Sequence, residues 1–377
     1  MDHKQASEII ARYKAGTCTA EEKALLQNWV LYGEFDGLKY TAAEILADVK
    51  EIDSRIAAGT SSKARLWLRI AGLAATVTAI VFSIWFFSQD KPGVEYVQDI
   101  APGGNRATLT IQGKTITLSN DKTGVVVGSD LKYSDGTQDP ALAQAISAEG
   151  AESRVVTAAT PKGGTYFIVL QDGTKAWLNA DSKLEFLSSY TNKTQRVVKL
   201  TGEAYFEVAK ALSPQGGGQG GRPGRVPFIV QTKSQTVEVL GTHFNINAYG
   251  EEPLVSTTLL EGSVAVRGNG NAIILKPNQQ STVADNGSTA VKQVDPSEAL
   301  AWKSGRFVFN NTPMQVVMRQ IARWYDVEVA YQDEDLKYKL LDGSVSRYEN
   351  VSGILNAISQ TGAARFKIDN HKIIVIK

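Results

Sequence analysis

Tyr166–Leu178 reads YFIVLQDGTKAWL. Two apolar, strand-favouring runs flank Asp172-Gly173, a pair that accepts the positive φ of a tight turn. The segment therefore predicts a hairpin with strands at Tyr166–Leu170 and Ala176–Leu178. Strand signals continue downstream at Arg196–Leu200 and Ala204–Val208, broken by Gly202. They follow again at Phe228–Thr232, Thr236–Leu240, Asn245–Ala248, Ser256–Leu260 and Ser263–Arg267. Many short strands at near-regular spacing, punctuated by glycine, predict an all-β sandwich, barrel or solenoid over residues 159–270. The stretch 213–227, SPQGGGQGGRPGRVP, is too rich in Gly and Pro to bury anything and predicts a flexible loop between two strands.

Upstream, residues 101–158 read as a β-rich lead-in. Leu109, Ile111, Ile116 and Leu118 flank Gly113 as strand, turn and strand. Gly104, Gly113 and Leu118 recur at one constant offset as Gly164, Gly173 and Leu178, which suggests two copies of one hairpin unit. Downstream, residues 302–377 change to mixed periodicity. A strand at Arg306–Phe309 precedes a helix at Pro313–Tyr325, whose apolar face is Met314, Val317, Met318, Ile321 and Trp324. Val327–Tyr331 and Lys339–Val345 read as strands, Asn350–Thr361 as a helix, and Arg365–Asp369 and Lys372–Ile376 as strands. Two β-α-β rounds predict a compact α+β domain.

Residues 1–62 predict a small all-α domain. Ile9, Ile10 and Tyr13 form a first stripe; Thr19-Ala-Glu-Glu22 and Thr41-Ala-Ala-Glu44 are capping boxes; Leu25, Leu26, Trp29 and Val30 share one helix face. Leu66–Phe87 then reads LWLRIAGLAATVTAIVFSIWFF, uncharged from Ile70 onward, which meets the length of roughly 18 apolar residues expected of a transmembrane helix. Lys63, Arg65 and Arg69 on its N-terminal flank predict residues 1–65 in the cytoplasm and 89–377 outside it. The expected fold is thus multidomain: an all-α cytoplasmic domain, one transmembrane helix, an all-β domain and a C-terminal α+β domain.

A net charge of +1, with 43% hydrophobic and 21% charged residues, is ordinary globular usage and provides no basic excess for nucleic acid. The one cysteine, Cys18, precludes an internal disulfide. No His-Glu-x-x-His, Gly-x-Ser-x-Gly or paired-cysteine motif appears. Gly216, Gly218 and Gly221 satisfy Gly-x-Gly-x-x-Gly only formally, since no helix follows to receive a pyrophosphate. The reading expects no enzyme, no catalytic residues, no cofactor and no metal.

Thr160-Pro-Lys-Gly-Gly-Thr-Tyr, the 170–180 segment LQDGTKAWLNA, the 200–208 segment LTGEAYFEV, the 239–246 segment VLGTHFNI and the 260–264 segment LEGSV together resemble the FecR family of inner-membrane regulators. The 301–309 segment AWKSGRFVF and the 318–329 segment MRQIARWYDVEV resemble the C-terminal domain of its Bacteroidetes members, a domain similar to the short N-terminal domains of secretins and TonB-dependent receptors. Gly16–Glu22 and Trp29 resemble the family's cytoplasmic helices. The resemblance implies an anti-sigma factor, in the inner membrane with its C-terminus periplasmic. It would bind an extracytoplasmic-function sigma factor and receive a signal from the signalling domain of a TonB-dependent outer-membrane transporter. Leu25, Leu26 and Trp29 are the expected sigma-facing residues, and Trp324 and Tyr325 mark the expected transporter side. The competing expectation is an anchored structural or adhesive envelope protein. A glycan-active enzyme or lectin, the third possibility, would need clustered aromatics or paired carboxylates that the sequence does not single out.

Overall fold

The computed structural model describes residues 99–128, 130–140, 142, 153–212 and 224–377, with 95–96 and scattered positions between 5 and 22. In the N-terminal part, the first expected capping box is present. The Glu22 amide donates to Thr19 Oγ1 (3.3 Å) and the Thr19 amide to Glu22 Oε2 (3.0 Å), while Arg12 pairs with Glu22 at 3.0 Å. Leu25, Leu26, Trp29, the second capping box and Leu66–Phe87 lie outside the described residues.

The remainder is dominated by strands. After β1 (Glu95–Tyr96) and β2 (Gly104–Asn105) come β3 (Thr108–Ile111), β4 (Lys114–Thr117), β5 (Gly124–Val127) and β6 (Leu131–Tyr133). Next are β7 (Val155–Thr160), β8 (Gly164–Val169), β9 (Lys175–Leu178), β10 (Ser182–Leu187), β11 (Arg196–Glu207), β12 (Phe228–Gln231) and β13 (Thr236–Val239). The series closes with β14 (His243–Ala248), β15 (Leu254–Glu261), β16 (Val264–Arg267), β17 (Ile273–Leu275), β18 (Gln279–Ala284) and β19 (Thr289–Gln293). They form two sheets. Sheet I runs β4-β3-β7-β10-β11-β12-β13-β16-β17. Sheet II runs β6-β5-β8-β9-β11-β14-β15-β18-β19.

Successive hairpins alternate between the sheets, and β11 belongs to both. Its Lys199–Thr201 end pairs in sheet I and its Gly202–Glu207 end in sheet II. Gly202, read as a break between two strands, is instead the corner of one strand. Its φ is +90°, and a Cβ there would lie 2.7 Å from the Asp181 carbonyl oxygen, so only glycine fits. Alternating residues of both sheets share one core, including Leu109, Val156, Leu184 and Phe228 from sheet I and Ile168, Phe206, Phe244 and Val255 from sheet II. Phe206 lies 6.0 Å from Phe228 and 5.3 Å from Phe244, centroid to centroid, which ties the sheets together. The fold is a sandwich. The lead-in strands β3–β6 belong to the same two sheets, and one glycine pair of the apparent repeat, Gly104 and Gly164, sits in register between β2 and β8.

A short helix α1 (Pro296–Leu300) leads to the C-terminal domain. It contains β20 (Arg306–Pro313), α2 (Met314–Tyr325), β21 (Glu328–Tyr331), β22 (Leu340–Ser346), α3 (Val351–Gln360), β23 (Arg365–Asp369) and β24 (Lys372–Ile376). β20 pairs with β22, while β23, β24 and β21 form a second sheet whose outer strand is β1. Val317, Met318, Ile321, Ile354, Leu355 and Phe366 fill its own core. Beside β1, Asp99 caps α3: Ser352 Oγ and the Ser352 amide donate to its carboxylate at 2.6 and 3.1 Å.

These findings correct the expected fold class and placement. Among the described residues the chain is mostly β-sheet, its longest α-helix has 12 residues, and no helix is long and apolar enough to cross a membrane, which takes about 20. No all-α domain and no apolar span are shown, so the single-pass inner-membrane assignment, with a cytoplasmic N-terminus and periplasmic C-terminus, is withdrawn.

Candidate functional site: the junction above sheet II

Strand alternation gives sheet II an outer face of Asn179, Glu203, Tyr205, Asn245 and Asn247, whose neighbours Leu178, Ala204, Phe206, Phe244 and Ile246 point into the core. An outer face of this kind ordinarily meets water. Here the C-terminal domain covers it, so Glu203, Asn245 and Asn179 are buried.

Five residues close a hydrogen-bonded ring across the contact. Arg347 Nη2 donates to Asn179 Oδ1 (3.0 Å), and Asn179 Nδ2 donates to Glu203 Oε2 (2.8 Å). From the other side, Trp302 Nε1 donates to Asn245 Oδ1 (3.2 Å), and Asn245 Nδ2 donates to Glu203 Oε1 (3.0 Å). Arg347 Nη1 completes it by donating to the Trp302 carbonyl (2.8 Å). The two amides are oriented by these donors, so both turn their NH2 groups toward one carboxylate. Glu203 and Arg347 thus interact through Asn179 rather than by direct contact. Burial pushes the Glu203 carboxyl above its usual range, against the lowering effect of the two amides and of Arg323 and Arg347. Burial also draws Arg347 down to about 10, opposed chiefly by Glu203. The Arg347 guanidinium stacks on Trp324 at 3.9 Å and on Phe307 at 5.3 Å, which offsets part of its desolvation.

A second set of contacts lies beside the ring. Arg323 lies over the Tyr249 ring at 3.9 Å and pairs with Glu251 at 2.5 Å. Arg319 makes a bidentate pair with Glu252 at 2.6 and 3.0 Å. The Gly163 amide donates to the Arg323 carbonyl (2.7 Å), and Tyr249 Oη donates to the Ala180 carbonyl (2.6 Å). Lys303 sits over Trp177 at 4.3 Å and Tyr205 at 4.9 Å, so Trp302 and Lys303 straddle one transverse row of sheet II. A cleft opens on each side of them, of about 430 and 440 Å3.

Trp324 and Tyr325 are both buried, at 3% exposure. Trp324 Nε1 donates to the Arg347 carbonyl (2.7 Å) and Tyr325 Oη to the Glu349 carbonyl (2.5 Å). Together they hold the main chain on either side of Tyr348, which is 69% exposed. Asn179, Glu203, Asn245, Arg323 and Arg347 were not singled out by sequence. The first three stand inside the motifs quoted above, at outward strand positions that read as solvent-facing.

This is a two-domain unit, a β sandwich closed over one face by an α+β domain through a buried polar ring. Residues 156–265 match the family model described as FecR protein, and residues 306–375 match the one described as FecR, C-terminal. The chain thus carries both FecR domains, in the order sandwich then C-terminal domain, which identifies it with the FecR family over these two segments. A 1.65 Å crystal structure of a candidate anti-sigma factor from Parabacteroides distasonis ATCC 8503 is similar with a TM-score of 0.52 and 28% identity, over 59% of this chain and 98% of that one. A second, 2.50 Å structure of the same description gives the same score and identity and covers 99% of its chain. No curated protein matches the chain.

Proposed function

We propose that the protein is an anti-sigma factor that binds and regulates an extracytoplasmic-function sigma factor, in response to a signal from a TonB-dependent outer-membrane transporter. The observation that carries the reading is the joint match of both FecR domains with the fold of a candidate anti-sigma factor across nearly all of that chain. Leu25, Leu26 and Trp29 are the proposed sigma-facing residues. On the transporter side, Trp324 and Tyr325 act as positioning residues: by fixing the carbonyls on either side of Tyr348, they present that exposed ring to a partner.

The test is capture of the sigma factor encoded beside this gene by the full-length protein, with Trp29→Ala as the comparison. Saturable binding weakened by the substitution supports the reading. Absence of binding by folded wild-type protein at micromolar concentration overturns it. On the other side, Tyr348→Ala is expected to weaken capture of the transporter's signalling domain without changing sigma-factor binding.

A further inference from the structure

The 430 Å3 cleft has a floor unlike an ordinary sheet surface. Register places Asn245 opposite Thr258, Thr258 opposite Gln280 and Gln280 opposite Lys292, with Asn247 opposite Ser256 in the adjoining row. Amides and hydroxyls thus occupy positions where a solvated sheet face would carry mixed charges. The walls come from α1, Trp302 and the β20 end at Asn310. The volume lies within the range of small-molecule sites.

The lining groups are held in place. Gln280 Nε2 donates to Thr258 Oγ1 (2.8 Å), Asn310 Nδ2 to Glu298 Oε1 (2.9 Å), and Asn245 is fixed by Glu203 and Trp302. Asn247 Oδ1 is buried without a partner among the described residues. A carboxamide presents a donor and an acceptor side by side, which matches a pair of neighbouring hydroxyls. Charge does not select an ion here. Lys292 and Arg306 are balanced at the lining by Asp295 and Glu298, while Arg323 and Arg347 are engaged by Glu251 and by the ring. The Trp302 indole adds an amphipathic surface suited to the C–H face of a sugar.

We infer that this cleft binds an uncharged, hydroxyl-rich small molecule of saccharide size. Its lining comes from the sandwich and from the C-terminal domain, so an occupant stabilises the closed junction in proportion to its occupancy. The inference does not depend on which partner the protein regulates.

The Trp302 indole N–H, donating to the cleft floor, is the reporter. Full-length protein carrying 15N-labelled tryptophan is titrated with glucose, galactose, N-acetylglucosamine, sucrose and lactose; glycine betaine and sodium sulfate serve as zwitterionic and anionic comparators. The expected result is a saturable shift of the Trp302 signal with at least one saccharide and none with betaine or sulfate. Asn247→Ala and Gln280→Ala, each confirmed folded by tryptophan fluorescence, should weaken it about tenfold, or 1.4 kcal/mol. No shift with any saccharide at about 100 mM, a weaker state than millimolar binding, overturns the inference. So does a shift that both variants retain, or one seen only with betaine or sulfate.

Discussion

The sandwich interior and the junction above sheet II are both closed to water, yet they are built from opposite chemistry. The interior is aliphatic and aromatic, with Phe206, Phe228 and Phe244 in contact between the sheets. The junction buries Glu203, Arg347, Asn179 and Asn245 and bonds them to one another and to Trp302, leaving Arg347 Nε without a partner among the described residues. An apolar core tolerates many sequences of the right volume, whereas a polar ring works only when every member is present. Asn179, Glu203 and Asn245 stand inside the segments that carry the FecR resemblance, beside apolar neighbours that face the core.

Four substitutions probe the contrast. Phe206→Ala should have the largest effect, lowering stability by about 4 kcal/mol in urea unfolding, because a fully buried ring leaves a cavity between the sheets. Arg347→Ala should cost about 3 kcal/mol, since it removes two ring bonds and takes from Glu203 one of the two guanidinium groups that favour its charge. Phe206→Leu should recover much of its loss, while Arg347→Lys should not, because an ammonium cannot span Asn179 and the Trp302 carbonyl while stacking on Trp324. If lysine restores stability, the ring's geometry matters less than its charge.

Asp99→Ala should cost about 1 kcal/mol at neutral pH by uncapping α3. Burial works against the Asp99 carboxylate, but its bonds from Ser352 prevail and hold its pKa below the ordinary value. Its contribution is therefore present above the unfolded-state pKa and lost as pH falls through the folded-state one, so wild type and variant should converge in acid. Glu203 gives the finest test, a slope of opposite sign. Its pKa is raised above 4.5, so the folded chain holds the proton more tightly than the unfolded chain. Its contribution is most favourable below that value and declines as pH rises toward the folded-state pKa. The stability of wild type relative to Glu203→Gln should fall over the same interval, as followed by melting temperature across a pH series.

Much of the sandwich was legible because its signals are local. Asp172-Gly173 fixes the hairpin of β8 and β9, and Val317, Met318 and Ile321 mark the buried side of α2. The role of Gly202 was harder to read, because a strand that changes sheets at a glycine looks in sequence like two strands with a break. The junction was not legible at all. Asn179 and Arg347 are 168 positions apart, and Glu203 at an outward strand position reads as solvated until another domain is known to cover it. Trp324 was legible as a core residue from its place on the apolar face of α2, where the structure buries it, whereas the bonds by which it and Tyr325 hold the chain around Tyr348 were not.

The central structural claim is that the polar ring joins the sandwich and the C-terminal domain into one cooperative unit. The direct measurement is urea unfolding of the full-length protein carrying 19F-labelled tryptophan, followed separately at Trp177 in the sandwich and Trp324 in the C-terminal domain. The account predicts coincident midpoints in wild type, displaced together by Arg347→Ala. A Trp324 transition completed at lower urea than that of Trp177 in wild type would contradict it.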